Sequence, residues 1–266
     1  MNRLLVIGGA SFDTLHLEDR TVKCPGGAGM YTAMAARRCG AQVSLFAPRP
    51  DPCPESLKPV ASHLSEWFGP VIPPEQLPQF EISYRGGKTD YLKVALDAET
   101  TLSLKMLPAD LSTYDLVHVT PLGNATNQLS FVQACQQRGA KLISGGTGLF
   151  NVEQQPQVVR AVIEKTDYFF MNKLEAEGVF GSLESVHTQP GKVLFLTHGS
   201  QGATIIQGDT STTIPAVPTT ELDPTGAGDS FCGATLAYLL QKKHPVMAAR
   251  HAAPLAAEMI TQVGPS

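Results

Sequence analysis

Short apolar segments recur along this chain and alternate with segments that have a helical pattern. Each apolar segment is too short for a helix and almost uniformly apolar, as strands buried on both faces of a parallel sheet are. The intervening segments place apolar side chains at helical spacing. Strands that alternate with helices predict an α/β fold with a mainly parallel sheet. The predicted strands are residues 4–7, 43–46, 116–119, 141–143, 168–171 and 193–196, and the predicted helices are residues 30–38, 127–138 and 157–163.

A second pattern indicates a small antiparallel lid beside this sheet. Residues 80–84 and 92–96 alternate between apolar and polar side chains, and Gly86 and Gly87 between them can form a tight hairpin turn. Residues 12–17 could add another strand. We therefore expect lid segments at about 11–23 and 80–97, able to close over the carboxyl ends of the parallel strands. No linker divides the chain, so residues 1–266 are expected to form a single domain.

Composition excludes several classes of partner. The chain has 266 residues, 42% of them hydrophobic and 17% charged, which is enough apolar surface for a large core. A formal charge of -4 provides no general attraction for nucleic acid or an anionic membrane surface. Five scattered cysteines without a CxxC pair and a start too short for a signal peptide predict a cytoplasmic protein. The seven histidines show no metal-ligand spacing, and His118 in its apolar strand is expected in the core.

The strongest local motif is the segment from Asp223 to Phe231, which reads DPTGAGDSF and precedes an apolar helix. Glycines at a helix start leave the first backbone amides uncovered, so Gly226, Ala227 and Gly228 predict an anion hole. Asp229 in the first turn could then accept a proton from a hydroxyl held beside the anion. Such a pair is typical of phosphoryl transfer to an alcohol. The alternative is an ordinary helix cap without chemistry.

Three further glycine-rich or polar segments follow predicted strands. Gly26 and Gly27 would let the backbone approach a ligand closely. Asn172 and Glu175 share one face of an early helical turn, as partners of a hydrated cation or as a simple capping box. The third segment begins at Thr197 and reads THGSQGA, at the end of a buried strand where α/β proteins bind nucleotides. The alternative there is a plain β-turn.

These segments resemble, in their order along the chain, the signatures of the ribokinase-like carbohydrate kinases, the pfkB family. The resemblance rests on the turn 8–13, the Gly-Gly segment 25–40, the Asn-x-x-Glu motif 172–175, the loop 197–203 and the segment 223–231. It implies a three-layer α/β/α ribokinase-like fold. It also implies transfer of the γ-phosphoryl group of ATP, with Mg²⁺, to a hydroxyl of a small-molecule sugar, polyol or nucleoside.

The resemblance assigns a role to each matching residue. It implies Asp229 as the base and residues 226–228 as the anion hole. It implies a Mg²⁺ contact through water at Glu175 and a K⁺ site at Asp223 and Thr225. The remaining residues that it assigns to substrate are Asp13, Gly26, Gly27, Tyr31 and Phe12, and those that it assigns to ATP are Asn172, Glu175, Thr197, Gly199, Gly202 and Gly228.

Some positions depart from the family pattern and leave alternatives open. Ala28, Tyr31 and Phe12 replace polar residues, so the acceptor pocket is expected to be more aromatic than a pocket for a free pentose. Ala253 stands where the adenine pocket commonly has Asn, and the chain ends at residue 266, which leaves open a catalytically silent sensor that binds a sugar or nucleotide. A nicotinamide-dependent oxidoreductase lacks its G-x-G-x-x-G fingerprint here. A homodimer through the free lid edge is a further expectation.

Overall fold

A computed structural model describes residues 2–85, 88–95, 97–220 and 222–265, and the two expected hairpin-turn glycines at 86 and 87 lie outside them. The strands, in chain order, are β1 (Arg3–Ile7), β2 (Ser11–His16), β3 (Thr21–Gly26), β4 (Gln42–Phe46), β5 (Arg49–Pro50), β6 (Glu66–Phe68), β7 (Val71–Ile72), β8 (Gln79–Arg85), β9 (Lys88–Ala95), β10 (Leu116–Val119), β11 (Ile143–Gly146), β12 (Tyr168–Asn172), β13 (Val193–Thr197), β14 (Ala203–Gln207) and β15 (Thr210–Ile214). The helices are α1 (Ala28–Arg38), α2 (Lys58–His63), α3 (Ala125–Gln137), α4 (Leu149–Gln154), α5 (Pro156–Lys165), α6 (Lys173–Phe180), α7 (Ala227–Leu240) and α8 (Pro245–Met259).

A nine-stranded sheet runs through the described part of the chain in the order β15-β14-β13-β12-β11-β10-β1-β4-β6. Its strands from β13 through β6 pair in parallel, and β14 and β15 add an antiparallel edge. Parallel strands need crossover connections, and the intervening helices provide them. The carboxyl ends of seven strands therefore meet at one edge of the sheet, which confirms the predicted α/β fold.

The two faces of the sheet pack against separate helical layers. Side chains alternate along β1, so Leu4 and Val6 pack with α1, α7 and α8, whereas Leu5 and Ile7 pack with α3, α4, α5 and α6. Every one of these four side chains is fully buried. The arrangement is the expected three-layer α/β/α fold.

The lid sheet is mixed rather than antiparallel, which corrects the prediction from the sequence. Its order is β3-β2-β8-β9, and each of its two hairpins is antiparallel. The inner strands β2 and β8 are both the first strands of their hairpins and pair in parallel. Leu15, Cys24 and Ile82 form a small core of the lid. On the outer strand β9, Leu92 and Val94 are exposed, and the lid-mediated dimer stays a prediction.

One local prediction is corrected by the structure. The strand expected at residues 141–143 is β11, which begins at Ile143 and continues to Gly146. Gly145 pairs with Phe169 of β12, and the ring of Phe169 lies 3.1 Å from where a Cβ atom on Gly145 would stand. Trp67 lies on the edge strand β6. Among the described residues, no helix is both long and apolar enough to cross a membrane.

Candidate active site

The predicted nucleotide-binding motifs meet at the carboxyl edge of the central sheet. Asn172 ends β12 and Thr197 ends β13, and the two residues are direct partners in the parallel register. The first turn of α7 lies across the same edge, so that Gly228 and Asp229 line a cavity together with Asn172 and Thr197. Residues from three distant parts of the sequence therefore surround one small space.

The loop before α7 has a backbone that requires glycine. Gly226 is the N-cap residue of α7 and has a φ of 72°, a left-handed conformation that residues with side chains rarely adopt. The ring of Tyr31 covers it, and a Cβ atom on Gly226 would lie 2.3 Å from that ring. In contrast, nothing lies within 4 Å of a Cβ built on Gly228. The helix start is thus fixed on one side and open on the side that faces the cavity, as an anion hole requires.

Asp229 is the third residue of α7 and does not cap the helix, because the N-cap position belongs to Gly226. Its half-buried carboxyl lines a cavity of about 190 Å³. Burial raises the pKa of Asp229 from its ordinary value of 3.8 to about 7. A carboxyl group that titrates near neutral pH is well suited to remove a proton from a hydroxyl group.

Asn172 and Glu175 form a complete capping box at the start of α6. The Glu175 amide donates to the Asn172 side-chain oxygen over 2.9 Å, and the Asn172 amide donates to the Glu175 carboxylate over 2.7 Å. The capping interaction that was the alternative to a cation contact is therefore present. Both side chains nevertheless also line the cavity together with Asp229. Burial, and to a smaller extent the charge of Asp229, raises the pKa of Glu175 to about 7. Because hard divalent cations prefer oxygen ligands, this pair fits an outer-sphere contact to Mg²⁺.

A larger cavity of about 630 Å³ adjoins the first and shares Thr197 and Gly228 with it. Gly199 and Gly202 line it, with φ angles of 58° and 97°. A Cβ on Gly202 would lie 2.1 Å from the carbonyl oxygen of Ile214, so this turn also requires glycine. The volume and the small apolar side chains fit a planar base. The apolar wall includes Ala216, Val217, Phe231, Ala253, Ala256 and Ile260.

Asp13 lies on the lid side of the site and is 2% exposed. The backbone amide of Phe80 donates to its carboxylate over 3.1 Å, and burial raises its pKa to about 6. A Cβ on Gly26 would lie 1.9 Å from the other carboxylate oxygen. Gly27 is the N-cap of α1, with a φ of 91°. The structure therefore brings Asp13 onto the Gly-Gly segment.

The two aromatic residues predicted to contact the acceptor, Phe12 and Tyr31, also pack against other parts of the chain, and their contact with the acceptor stays a prediction. Side chains alternate along β2, so Phe12 lies on the opposite face from Asp13 and packs against the layer of α1, α7 and α8. Tyr31 is 2% exposed, and its ring lies on Gly226. Tyr31 therefore supports the anion loop, and neither residue lines the two cavities described above.

The segment before the anion loop contains a buried acid suited to a cation. One carboxylate oxygen of Asp223 accepts the amide of Thr225 over 2.9 Å. The other oxygen is buried and has no hydrogen-bond partner among the described residues, which fits a monovalent cation. The Thr225 hydroxyl contacts the hydroxyl of Tyr84 on β8, so the lid touches this loop directly.

Two features near the site were not assigned from the sequence. His118 is buried, as predicted, but it also lines the smaller cavity, where it contacts the Ser144 hydroxyl at 3.0 Å and Cys232. Burial lowers its pKa to about 3, so it is neutral at physiological pH. The second feature is Glu99, a dehydrated acid beside Gly9 at the end of β1. It belongs to no recognisable sequence motif, so no signal pointed to it.

Helices α1 and α7 pack so closely that their backbones touch. A Cβ on Gly233 would lie 2.1 Å from the carbonyl oxygen of Thr32. The Thr32 hydroxyl also donates to the carbonyl oxygen of Asp229 over 3.3 Å. The helix that begins at the Gly-Gly segment and the helix that carries Asp229 are therefore in direct contact at Thr32.

Comparison with known proteins places these features in a family. Residues 131–266 match the family described as pfkB family carbohydrate kinase. The cytidine kinase of Thermococcus kodakarensis is 24% identical over 88% of this chain and 87% of its own length. The nucleoside kinase of Burkholderia thailandensis, solved in complex with inosine, superposes with a TM-score of 0.82 at 21% identity, covering 98% of this chain and 92% of that one. The ribokinase of Cryptococcus neoformans var. grubii serotype A, solved in complex with ADP, also has a TM-score of 0.82, at 18% identity over 99% and 94% of the two chains.

Proposed function

Because this chain belongs to the pfkB family of carbohydrate kinases, we propose that it transfers the γ-phosphoryl group of ATP to a hydroxyl of a nucleoside, with Asp229 as the general base. Membership of the family makes the protein a phosphotransferase with an alcohol acceptor. The nucleoside acceptor, the base and the bound ions are the parts that we propose.

The observation that carries the proposal is the position of Asp229 where two cavities meet. The larger cavity has the volume and apolar wall expected for an adenine nucleotide, and the smaller one is lined by Asn172, Glu175 and Asp229. Gly228, next to the acid, lines both. A donor in the larger cavity would thus extend its phosphates past the start of α7 towards the acid. This is the arrangement that in-line transfer to a hydroxyl requires.

The chemistry assigned to the chain is simple. Asp229 takes the proton of the acceptor hydroxyl while the hydroxyl oxygen forms a bond to the γ-phosphorus, and the bond from that phosphorus to the β-γ bridging oxygen breaks to release ADP. The amides at the start of α7, around Ala227 and Gly228, stabilise the negative charge of the transferred group. With Tyr84 against Thr225, the lid excludes water that would otherwise compete with the acceptor.

Two ions complete the proposal. Glu175 and Asn172 would hold Mg²⁺ through water, and Mg²⁺ supplies charge neutralisation for the phosphates when it is bound. The unpartnered oxygen of Asp223 would hold K⁺ close to the anion loop. Both assignments rest on the donor atoms present at the site. The described residues contain no group of three or more His, Cys, Asp or Glu that could hold a metal ion by themselves.

The nucleoside acceptor is supported by several relatives taken together. One similar protein is named a cytidine kinase, another a nucleoside kinase, and a solved structure of the fold contains inosine. Ribokinases and a fructosamine kinase are also similar, so ribose and modified hexoses are the competing acceptors. All these acceptors have a hydroxyl group from which the ionised carboxylate of Asp229 could remove a proton.

A coupled assay of ADP release tests the proposal. The purified protein is offered MgATP with cytidine, inosine, ribose, hexoses and inositols, each with and without K⁺. We expect the highest kcat/KM with a nucleoside. Turnover with ribose or a hexose, but with no nucleoside, would support the kinase activity and refute the proposal that the acceptor is a nucleoside. Calorimetric binding across the panel without any product would indicate the silent sensor.

A further inference from the structure

Glu99 lies on a short segment that is anchored in both helical layers beside the central sheet. It lies in a short 3-10 helix, Asp97–Thr101, that follows the lid strand β9. Ala98, on one side of it, is buried in the layer of α1, α7 and α8. Leu102, on the other side, is buried in the layer of α3 to α6. Glu99 therefore lies between two residues that are buried in opposite layers.

The carboxylate of Glu99 lies on the residue that supports the Gly-Gly segment. A Cβ on Gly9 would be 2.2 Å from one oxygen of Glu99, so only glycine leaves room for this approach. The carbonyl oxygen of Gly9 accepts the amide of Met30 over 3.2 Å and would be 2.7 Å from a Cβ on Gly27. Glu99 and the Gly-Gly segment thus contact the same residue.

The surroundings of Glu99 leave its charge poorly compensated. Burial raises its pKa from the ordinary value of 4.5 to about 7, and the backbone of Gly123 gives it one hydrogen bond. It takes part in none of the ion pairs that the described side chains form. A dehydrated carboxylate with a single amide donor has unused acceptor capacity. The side chain is nevertheless half-buried, so part of it remains accessible.

We propose that Glu99 is a specificity-determining residue that accepts a hydrogen bond from a ring hydroxyl of the acceptor. The inference rests on the proposed function, because it takes the Gly-Gly segment as the floor of the acceptor site. Asp13 and Glu99 lie at opposite ends of the short segment from Gly9 to Asp13, so two carboxylates would hold a polyhydroxylated ring between them. Such acceptors are recognised over analogues that lack one hydroxyl, because the missing donor leaves a buried carboxylate unpaired.

The test compares Glu99→Gln with wild type on cytidine, inosine and their 2′-deoxy and 3′-deoxy analogues. Glutamine keeps an oxygen for the Gly123 amide and removes the charge. We expect the acceptor KM, and the acceptor Kd measured by calorimetry, to rise about 10- to 100-fold, with the KM for ATP unchanged. Discrimination against one deoxy analogue should be lost in the variant, which a merely structural role would not produce. Glu153→Gln, at an exposed position on α4, is the matched control.

A second variant protects the test against misfolding. Gly9→Ala keeps the charge of Glu99 but displaces its carboxylate, so it should also weaken acceptor binding. Melting curves report whether each variant folds. An unchanged acceptor KM and unchanged discrimination in Glu99→Gln would overturn the assignment and leave the proposed function standing. Weaker acceptor binding by Glu99→Gln, with no ADP released by wild type, would support the assignment and refute the kinase reaction. No acceptor binding to wild type would overturn both.

Discussion

The pKa of Asp229 makes the strongest prediction about the reaction. A base must be ionised, and burial raises the pKa of this carboxyl to about 7. As the pH falls below that value, the protonated fraction grows, so kcat/KM should be lost on the acid side and reach a plateau above about pH 8. A single group with a pKa of about 7 leaves roughly a tenth of the plateau rate at pH 6 and about 3% at pH 5.5. Asp229→Asn should lower kcat by about 10²- to 10⁴-fold at pH 8.

The assay is initial-rate ADP release between pH 5.5 and 9, with MgATP saturating at each pH. Glu175 and Glu99 also have pKa values of about 7, and Asp13 has one of about 6, so the profile alone does not identify the group. The variants Glu175→Gln, Glu99→Gln and Asp13→Asn separate these acids from the base, since the remaining activity of each should keep the part of the acid limb that is due to Asp229, whereas Asp229→Asn should lose that part. Asp209→Asn, in the exposed turn between β14 and β15, is the control for a lost surface charge.

Two results would refute the reasoning. Turnover by Asp229→Asn within tenfold of wild type at pH 8 would exclude this carboxylate as the base. If Asp229→Asn kept the loss of activity at low pH and Glu175→Gln did not, the titrating group would be Glu175 instead.

Two further predictions concern the bound ions and stability. The rise of the Glu175 pKa from 4.5 to about 7 means that its ionised form destabilises the fold by roughly 3 kcal/mol above pH 7, and that this penalty disappears as the pH falls towards 4.5. Glu175→Gln should therefore raise the melting temperature at pH 8 but not near pH 4.5, while it lowers kcat; equal effects at both pH values would contradict the burial argument. Asp223→Asn should abolish the increase in melting temperature that K⁺, relative to a bulky organic cation, gives the wild type. A K⁺ response preserved in that variant would place the cation elsewhere.

The parts of the site predicted from the sequence are those formed by contiguous residues. The segment containing Gly226 and Asp229 has a local geometry, a glycine turn followed by a first helical turn, that its residues dictate. Asn172 and Glu175 likewise interact within one turn as a capping box, and both side chains also line the smaller cavity. The sheet was predictable because buried parallel strands are recognisable from their apolar runs alone.

Other features depend on contacts between distant residues, which no local pattern encodes. The parallel pairing of β2 with β8 joins segments about 65 residues apart and could not be read from either hairpin. The ring of Tyr31 lies on Gly226, a residue from a distant part of the sequence, and no pattern around Tyr31 indicates this contact. Nothing in the sequence around Glu99 distinguishes it from an acid on the protein surface. Its carboxyl is partly shielded from water only because residues distant in the sequence pack around it.

The backbone contact between α1 and α7 bears on how much of the site is preorganised. A carbonyl oxygen of α1 lies against Gly233, so no flexible side chain separates the two helices at this point and neither can slide without a clash. The distance from the Gly-Gly segment to Asp229 is consequently set when the protein folds rather than when the acceptor binds. If the Gly-Gly segment is the acceptor floor and Asp229 the base, as we propose, binding free energy is not consumed in bringing them together. The reorganisation that accompanies turnover is left to the lid, whose contact with the body at Tyr84 and Thr225 can break without disturbing that distance.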